Sequence, residues 1–89
     1  MSNNELARGE REDGTSIMEK LAFRRFIRGI TVKEVARIIG VDQQVLSNYE
    51  RGKSKTPFFV VERICNLFGY RLIILDKKGK KIYENRRTE

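Results

Sequence analysis

Four polar, uncharged side chains fall together in the middle of the chain: Gln43, Gln44, Ser47 and Asn48. Their spacing puts all four on one face of any helix that carries them. Each amide sets a flat donor beside an acceptor, and Gln or Asn can make two bonds to the major-groove edge of an adenine. Val45, between them, can set an apolar contact against a thymine methyl. The chemistry on offer is hydrogen-bonded reading of base edges. The alternative is a solvated polar surface, although such faces usually carry charge and this run carries none.

The elements that must position these residues are legible around them. Asp42 is a good N-cap for a helix starting at Gln43. Leu46 and Tyr49 point inward, and Gly52 ends the helix. A second short helix precedes it. Thr31 and Glu34 have the spacing of a capping box, in which hydroxyl and carboxylate satisfy end amides reciprocally. Val32, Val35, Ala36 and Ile39 line one face of that helix, and Gly40 stops it. Residues 30–56 therefore read as two helices crossing at a glycine turn, followed by a basic loop with Arg51, Lys53 and Lys55. Cations there can hold phosphates and fix register without specifying sequence. Thr31, Lys33 and the free amides at the start of the first helix of the pair suit the same task. Each of these cations also has an ordinary reading as a solvated surface charge.

The rest of the chain supports this pair. Residues 1–14 are polar and acidic, and disorder is expected. A first helix is expected from Ser16, capped by Ser16 and Glu19, to about Arg28. Its inward face reads as Ile17, Leu21, Arg25 and Arg28, with Phe23, Phe26 and Ile27 left on another side. Thr56-Pro57 reads as an N-cap followed by proline at the first helical position. The fourth helix then runs to Phe68 with Phe58, Val61, Ile64, Cys65 and Phe68 inward, and with Phe59, Val60 and Leu67 off that face. After Gly69 the period changes. YRLIILD and KIYE read as strands joined by KKGK, a candidate hairpin over residues 70–84, and residues 85–89 are expected to fray. The expected fold is mainly α: four helices over residues 15–69, then a short C-terminal β-hairpin.

Composition narrows the function. The 89 residues make one small domain with 19 Lys and Arg, 12 Asp and Glu and a formal charge of +7. Residues 21–89 hold 16 of the bases and seven of the acids. That asymmetry suits a polyanion, or simply a well-solvated basic surface. There is no histidine and one cysteine, Cys65, which reads as a buried small hydrophobe. No metal site, cofactor or nucleophile–base pair can be assembled, so an enzyme is not expected. The first residues lack the apolar core of a signal peptide, and no run approaches a membrane span. A cytoplasmic protein with no membrane partner is expected.

The pattern GITVKEVARIIGVDQQVLSNYERGK, residues 29–53, with Thr31, Glu34, Ala36, Gly40, Val41, Gln43, Ser47, Glu50 and Gly52 in place, resembles the lambdoid repressor and Cro-type helix-turn-helix proteins, the XRE family. The likeness extends over residues 21–69. It implies a lambda-repressor-like fold, dimers on double-stranded DNA and a bacterial or phage-encoded, nucleoid-associated regulator. By this resemblance base contacts fall to Gln43, Gln44 and Asn48, phosphate contacts to Lys53 and Lys55, and a structural ion pair to Arg25 and Glu50. Four features depart from the family. Val32 stands where a phosphate-contacting Gln is common, Arg24 where an apolar residue is common, Phe23, Phe26 and Ile27 where polar residues are common, and a hairpin replaces the fifth helix. The terminal strand resembles that of HipB-like antitoxins.

Leu72, Ile73, Ile74 and Leu75 leave their strand no polar face. Such a strand is expected to pair across a twofold axis, making a homodimer whose recognition helices face successive major grooves about 34 Å apart. The alternative is a hairpin folded onto its own first helix, over Phe23, Phe26 and Ile27. The functional expectation is a dimeric repressor. An antitoxin that also binds a toxin protein is the second reading.

Overall fold

The computed structural model describes residues 15–85, with side chains from Ile17. Four helices, α1 (Thr15–Ile27), α2 (Val32–Ile39), α3 (Gln43–Glu50) and α4 (Phe58–Phe68), precede two strands, β1 (Ile73–Leu75) and β2 (Lys81–Glu84). The expected disorder of residues 1–14 and the tail beyond Asn85 lie outside what is described. The helix start expected at Ser16 is corrected, since α1 begins at Thr15 and Ser16 lies within it rather than at its N-cap.

Helix ends follow local chemistry. Thr31 is extended, and its hydroxyl oxygen accepts from Glu34 N at 3.1 Å. Asp42 Oδ2 accepts from Gln44 N at 2.9 Å and Val45 N at 3.2 Å. α2 stops because Gly40 turns left-handed, at φ 81°, a conformation that costs a side-chain-bearing residue ~1–2 kcal/mol. The start of α4 differs from expectation. Pro57, extended at φ −65° and ψ 150°, stands outside the helix as its N-cap residue, and no side chain caps the first turn. Thr56 is instead buried, with its hydroxyl lacking a hydrogen-bond partner.

The core is Met18 and Leu21 from α1, Val35, Ala36 and Ile39 from α2, Leu46 from α3, and Val60, Val61, Ile64 and Cys65 from α4. Met18, Val35, Leu46 and Val60 are fully buried, each burial contributing ~1.5–3 kcal/mol. Two expected inward residues are corrected. Ile17 is exposed and Met18 takes its place; Phe58 is exposed and Val60 takes its place. Both exchanges occur in helices with apolar residues on several sides, where periodicity cannot choose between stripes. Arg28, expected inward, lies past the end of α1. Its guanidinium stacks 4.5 Å from the Phe68 ring centre and donates to Tyr70 Oη at 2.9 Å. Burial raises the pKa of the Cys65 thiol, and Glu62 adds to the rise.

The hairpin is antiparallel, with Ile73 opposite Glu84, Ile74 opposite Tyr83, and an irregularity between Ile74 and Leu75. It docks on α4. The Tyr83 ring meets Phe58 edge-on at 5.6 Å, and its hydroxyl donates to the Glu62 carboxylate. Asn85, expected to begin a fraying tail, is buried. Its Nδ2 donates to Asn66 Oδ1 at 2.6 Å and Tyr70 O at 3.1 Å, and its Oδ1 accepts from Leu72 N at 2.7 Å. The hairpin does not fold over α1: Phe23, Phe26 and Ile27 stay exposed, Phe26 at 73%. Polar anchors on α4, absent from any apolar pattern, decide the docking. On the hairpin surface, hydrogen bonds from Arg71 and then Lys81 hold the Glu84 carboxyl down at about 2.

Candidate nucleic-acid interface

α2 and α3 meet at a tight turn. The N–H groups of Gly40 and Val41 both donate to Ala36 O, at 2.9 and 3.0 Å. Ala36, buried and small, lets the helices approach. From the other side Arg63 of α4 donates to Ile39 O at 2.8 Å while lying 4.8 Å from the Phe59 ring centre. The turn is thus tied to α4 by a residue that no spacing argument singled out. Its partner is a backbone carbonyl, which leaves no mark in sequence.

The end of α3 is fixed by charge. Arg25 Nε donates to Glu50 Oε2 at 2.8 Å, and a second guanidinium nitrogen donates to Glu50 Oε1 at 3.0 Å. The third nitrogen, Nη1, donates to Ile30 O at 2.7 Å. The two side chains keep only 16% and 9% of their surface. One guanidinium therefore joins α1, the α1–α2 turn and the last residue of α3. Past Glu50, Gly52 turns left-handed and Lys53 N donates to Asn48 O at 2.9 Å, closing the helix in a Schellman-like end.

With Leu46 fixed inward, the rest of α3 is set. At ~100° per residue, Gln43, Ser47, Gln44 and Asn48 occupy the arc turned away from the core. Gln43, Gln44 and Val45 are exposed; Ser47 and Asn48 are half-buried. Gln44 Nε2 donates to Asn48 Oδ1 at 3.4 Å. That bond leaves Gln44 Oε1 as an acceptor and Asn48 Nδ2 as a donor, the complement of an adenine edge. Arg51, Lys53 and Lys55 are all exposed in the loop after α3. Thr31 and Lys33 are exposed at the start of α2, where the Thr31 oxygen already serves as the helix cap. The four dimer candidates divide: Leu72 packs on the core, while Ile73, Ile74 and Leu75 are exposed.

Two short helices joined at a glycine turn, the second presenting a polar face, define a helix-turn-helix protein. The chain belongs to the DNA-binding regulatory Helix-turn-helix family of XRE type, whose model matches residues 21–75. A protein of Pyrobaculum aerophilum, provisionally named an HTH-type transcriptional regulatory protein, is 33% identical over 51 residues. The match takes in 57% of this chain and only 20% of that relative's length. No solved structure matches the chain. Among the described residues no helix is long and apolar enough to cross a membrane.

Proposed function

We propose that the protein is a sequence-specific double-stranded DNA-binding transcriptional regulator, a cytoplasmic repressor that acts as a homodimer by occupying a near-palindromic operator. It needs no cofactor and performs no catalysis. The observation that carries this reading is the uncharged amide face of α3, turned outward by Leu46 and held at its far end by Arg25 and Glu50.

In this reading α3 enters the major groove by its N-terminal end. Gln43, Gln44, Ser47 and Asn48 reach base edges, and the Gln44–Asn48 bond aligns two amides before DNA arrives. Lower ordering cost on binding follows from such preorganisation. Arg51, Lys53 and Lys55 on one side, with Thr31 and Lys33 on the other, hold phosphates. Binding assays with paired substitutions separate the two roles. Gln44→Ala is expected to cost ~1–3 kcal/mol on the best site and relax preference at one base pair. Lys53→Gln is expected to weaken specific and random duplexes alike and to lower the salt slope by about 1. Equal weakening of both duplexes by Gln44→Ala would remove base reading from that residue.

One observation favours a second role beside this one. Phe23, Phe26 and Ile27 form an uncovered apolar face on α1, of the sort that marks protein-binding surfaces. An antitoxin that also binds a toxin protein would use such a face. Co-expression with the product of the adjacent gene, read by size-exclusion chromatography of the parent and Phe26→Asp chains, discriminates the two.

A further inference from the structure

The hairpin turn carries a cluster that neither the core nor the α3 face uses. Lys77, Lys78, Lys80 and Lys81 flank Gly79, and all four are exposed. Lys81 is paired with Glu84 at 2.8 Å. The acid within the turn, Asp76, is committed to the backbone: its Oδ1 accepts from Lys78 N at 2.9 Å and from Lys80 N at 2.8 Å. Asp76 N donates to Lys80 O at 2.9 Å, and Gly79, at φ 87°, donates to Asp76 O at 3.0 Å. The turn is therefore closed by four hydrogen bonds. It holds three ammonium groups with no ion pair among the described residues.

Its position follows from how the hairpin lies on α4. Asn85 meets Asn66, toward the C-terminal end of α4, and Tyr83 meets Glu62 and Phe58, at the N-terminal end. The strand pair thus runs along α4 from its end to its start. The turn begins just past the Leu75–Lys81 pair, and at ~3.4 Å per residue its tip lies on the order of 10 Å beyond Tyr83, past Phe58. The loop that enters α4 at that end is the one bearing Lys53 and Lys55.

We infer that the hairpin tip is a second DNA-backbone contact, in which Lys77, Lys78 and Lys80 hold phosphates outside the segment read by α3. This rests on the DNA-binding reading above. The tip acts on affinity and not on sequence preference, because phosphate contacts carry no base information. Its closed turn places the three charges without the ordering that a loose lysine tail would require.

The test uses the full chain and a fluorescent random-sequence duplex, with affinity followed from ~50 to ~200 mM salt. Lys77→Gln, Lys78→Gln and Lys80→Gln together are expected to flatten the slope of log affinity against log salt by about 2–3, near 0.9 per lost phosphate contact. The triple Lys→Arg chain should keep the parent slope. Thermal melting of the Gln variant should match the parent, since these exposed side chains make no ion pair or hydrogen bond among the described residues. A parental slope in the Gln variant, while Lys53→Gln with Lys55→Gln flattens it, overturns the tip contact and leaves the α3 reading standing. Absence of binding by the parent at low salt overturns the DNA reading and the tip with it.

Discussion

Replacing Arg25 with alanine is expected to lower the unfolding free energy by ~3–5 kcal/mol, because it strands the Glu50 carboxylate in a largely buried site. At ~4–8 °C per kcal/mol for a domain of this size, the melting temperature should fall by more than about 10 °C. The guanidinium also leaves Ile30 O without its donor, so the loss reaches the α1–α2 turn as well as α3. Glu50→Ala should be comparably harmful. Arg25→Lys should recover little, since an ammonium cannot reproduce the two-pronged contact with both carboxylate oxygens. A paired Arg25→Met, Glu50→Leu chain should recover most of the loss, as apolar replacements of whole ion pairs often do. Urea denaturation followed by circular dichroism measures all four. A loss under ~1 kcal/mol for Arg25→Ala would place this pair with solvent-exposed ones.

Converting Ile73 and Leu75 to lysine is expected to yield a monomer and to cut specific DNA affinity by at least ~10³-fold, the lower bound of the gap between specific and non-specific binding. Asn85 N donates to Leu72 O, and Leu72 N donates to the Asn85 side chain. Both polar groups of Leu72 therefore turn toward β2. Alternation then turns those of Ile73 to the free edge of β1. That edge lies beside the exposed apolar side chains Ile73, Ile74 and Leu75. An uncharged edge with an apolar surface invites a second strand, and lysines are the usual means of blunting one. Because these side chains lie outside the core, the helical signal of the substituted chain should survive. Light scattering of the parent at high concentration gives the complementary measurement. A monomeric parent would contradict twofold pairing.

The ends of α2 and the start of α3 were the most legible part of the fold, whereas Ser16 and Thr56, expected as N-caps, do not hold those positions. Thr31, Gly40 and Asp42 declare the ends of α2 and the start of α3 by residue type alone, and the apolar stripe of α2 admits one phase. α1 was harder. Ile17 and Met18 are adjacent, with Phe23, Phe26 and Ile27 also apolar, so only the shape of the facing helices selects Met18. α4 poses the same problem with Phe58, Phe59, Val60 and Val61 in a row. The hairpin could be foreseen as two strands and a turn, but not its docking, which rests on Asn85, Asn66, Glu62 and Tyr83. Polar residues distant in sequence reveal such pairings only in three dimensions. At the α3 face the residue types and spacing were visible, whereas the Gln44–Asn48 bond and the Arg63 contact to Ile39 O depend on side-chain directions that spacing does not specify.

Selection of bound fragments from a random double-stranded DNA pool tests the central claim, that α3 reads bases, most directly. The parent chain should enrich one sequence with two inverted half-sites centred ~10–10.5 base pairs apart. The Gln44→Ala chain should enrich the same site with preference lost at one symmetric position. Recovery of fragments with no shared sequence, or an identical site from both chains at every position, would contradict it.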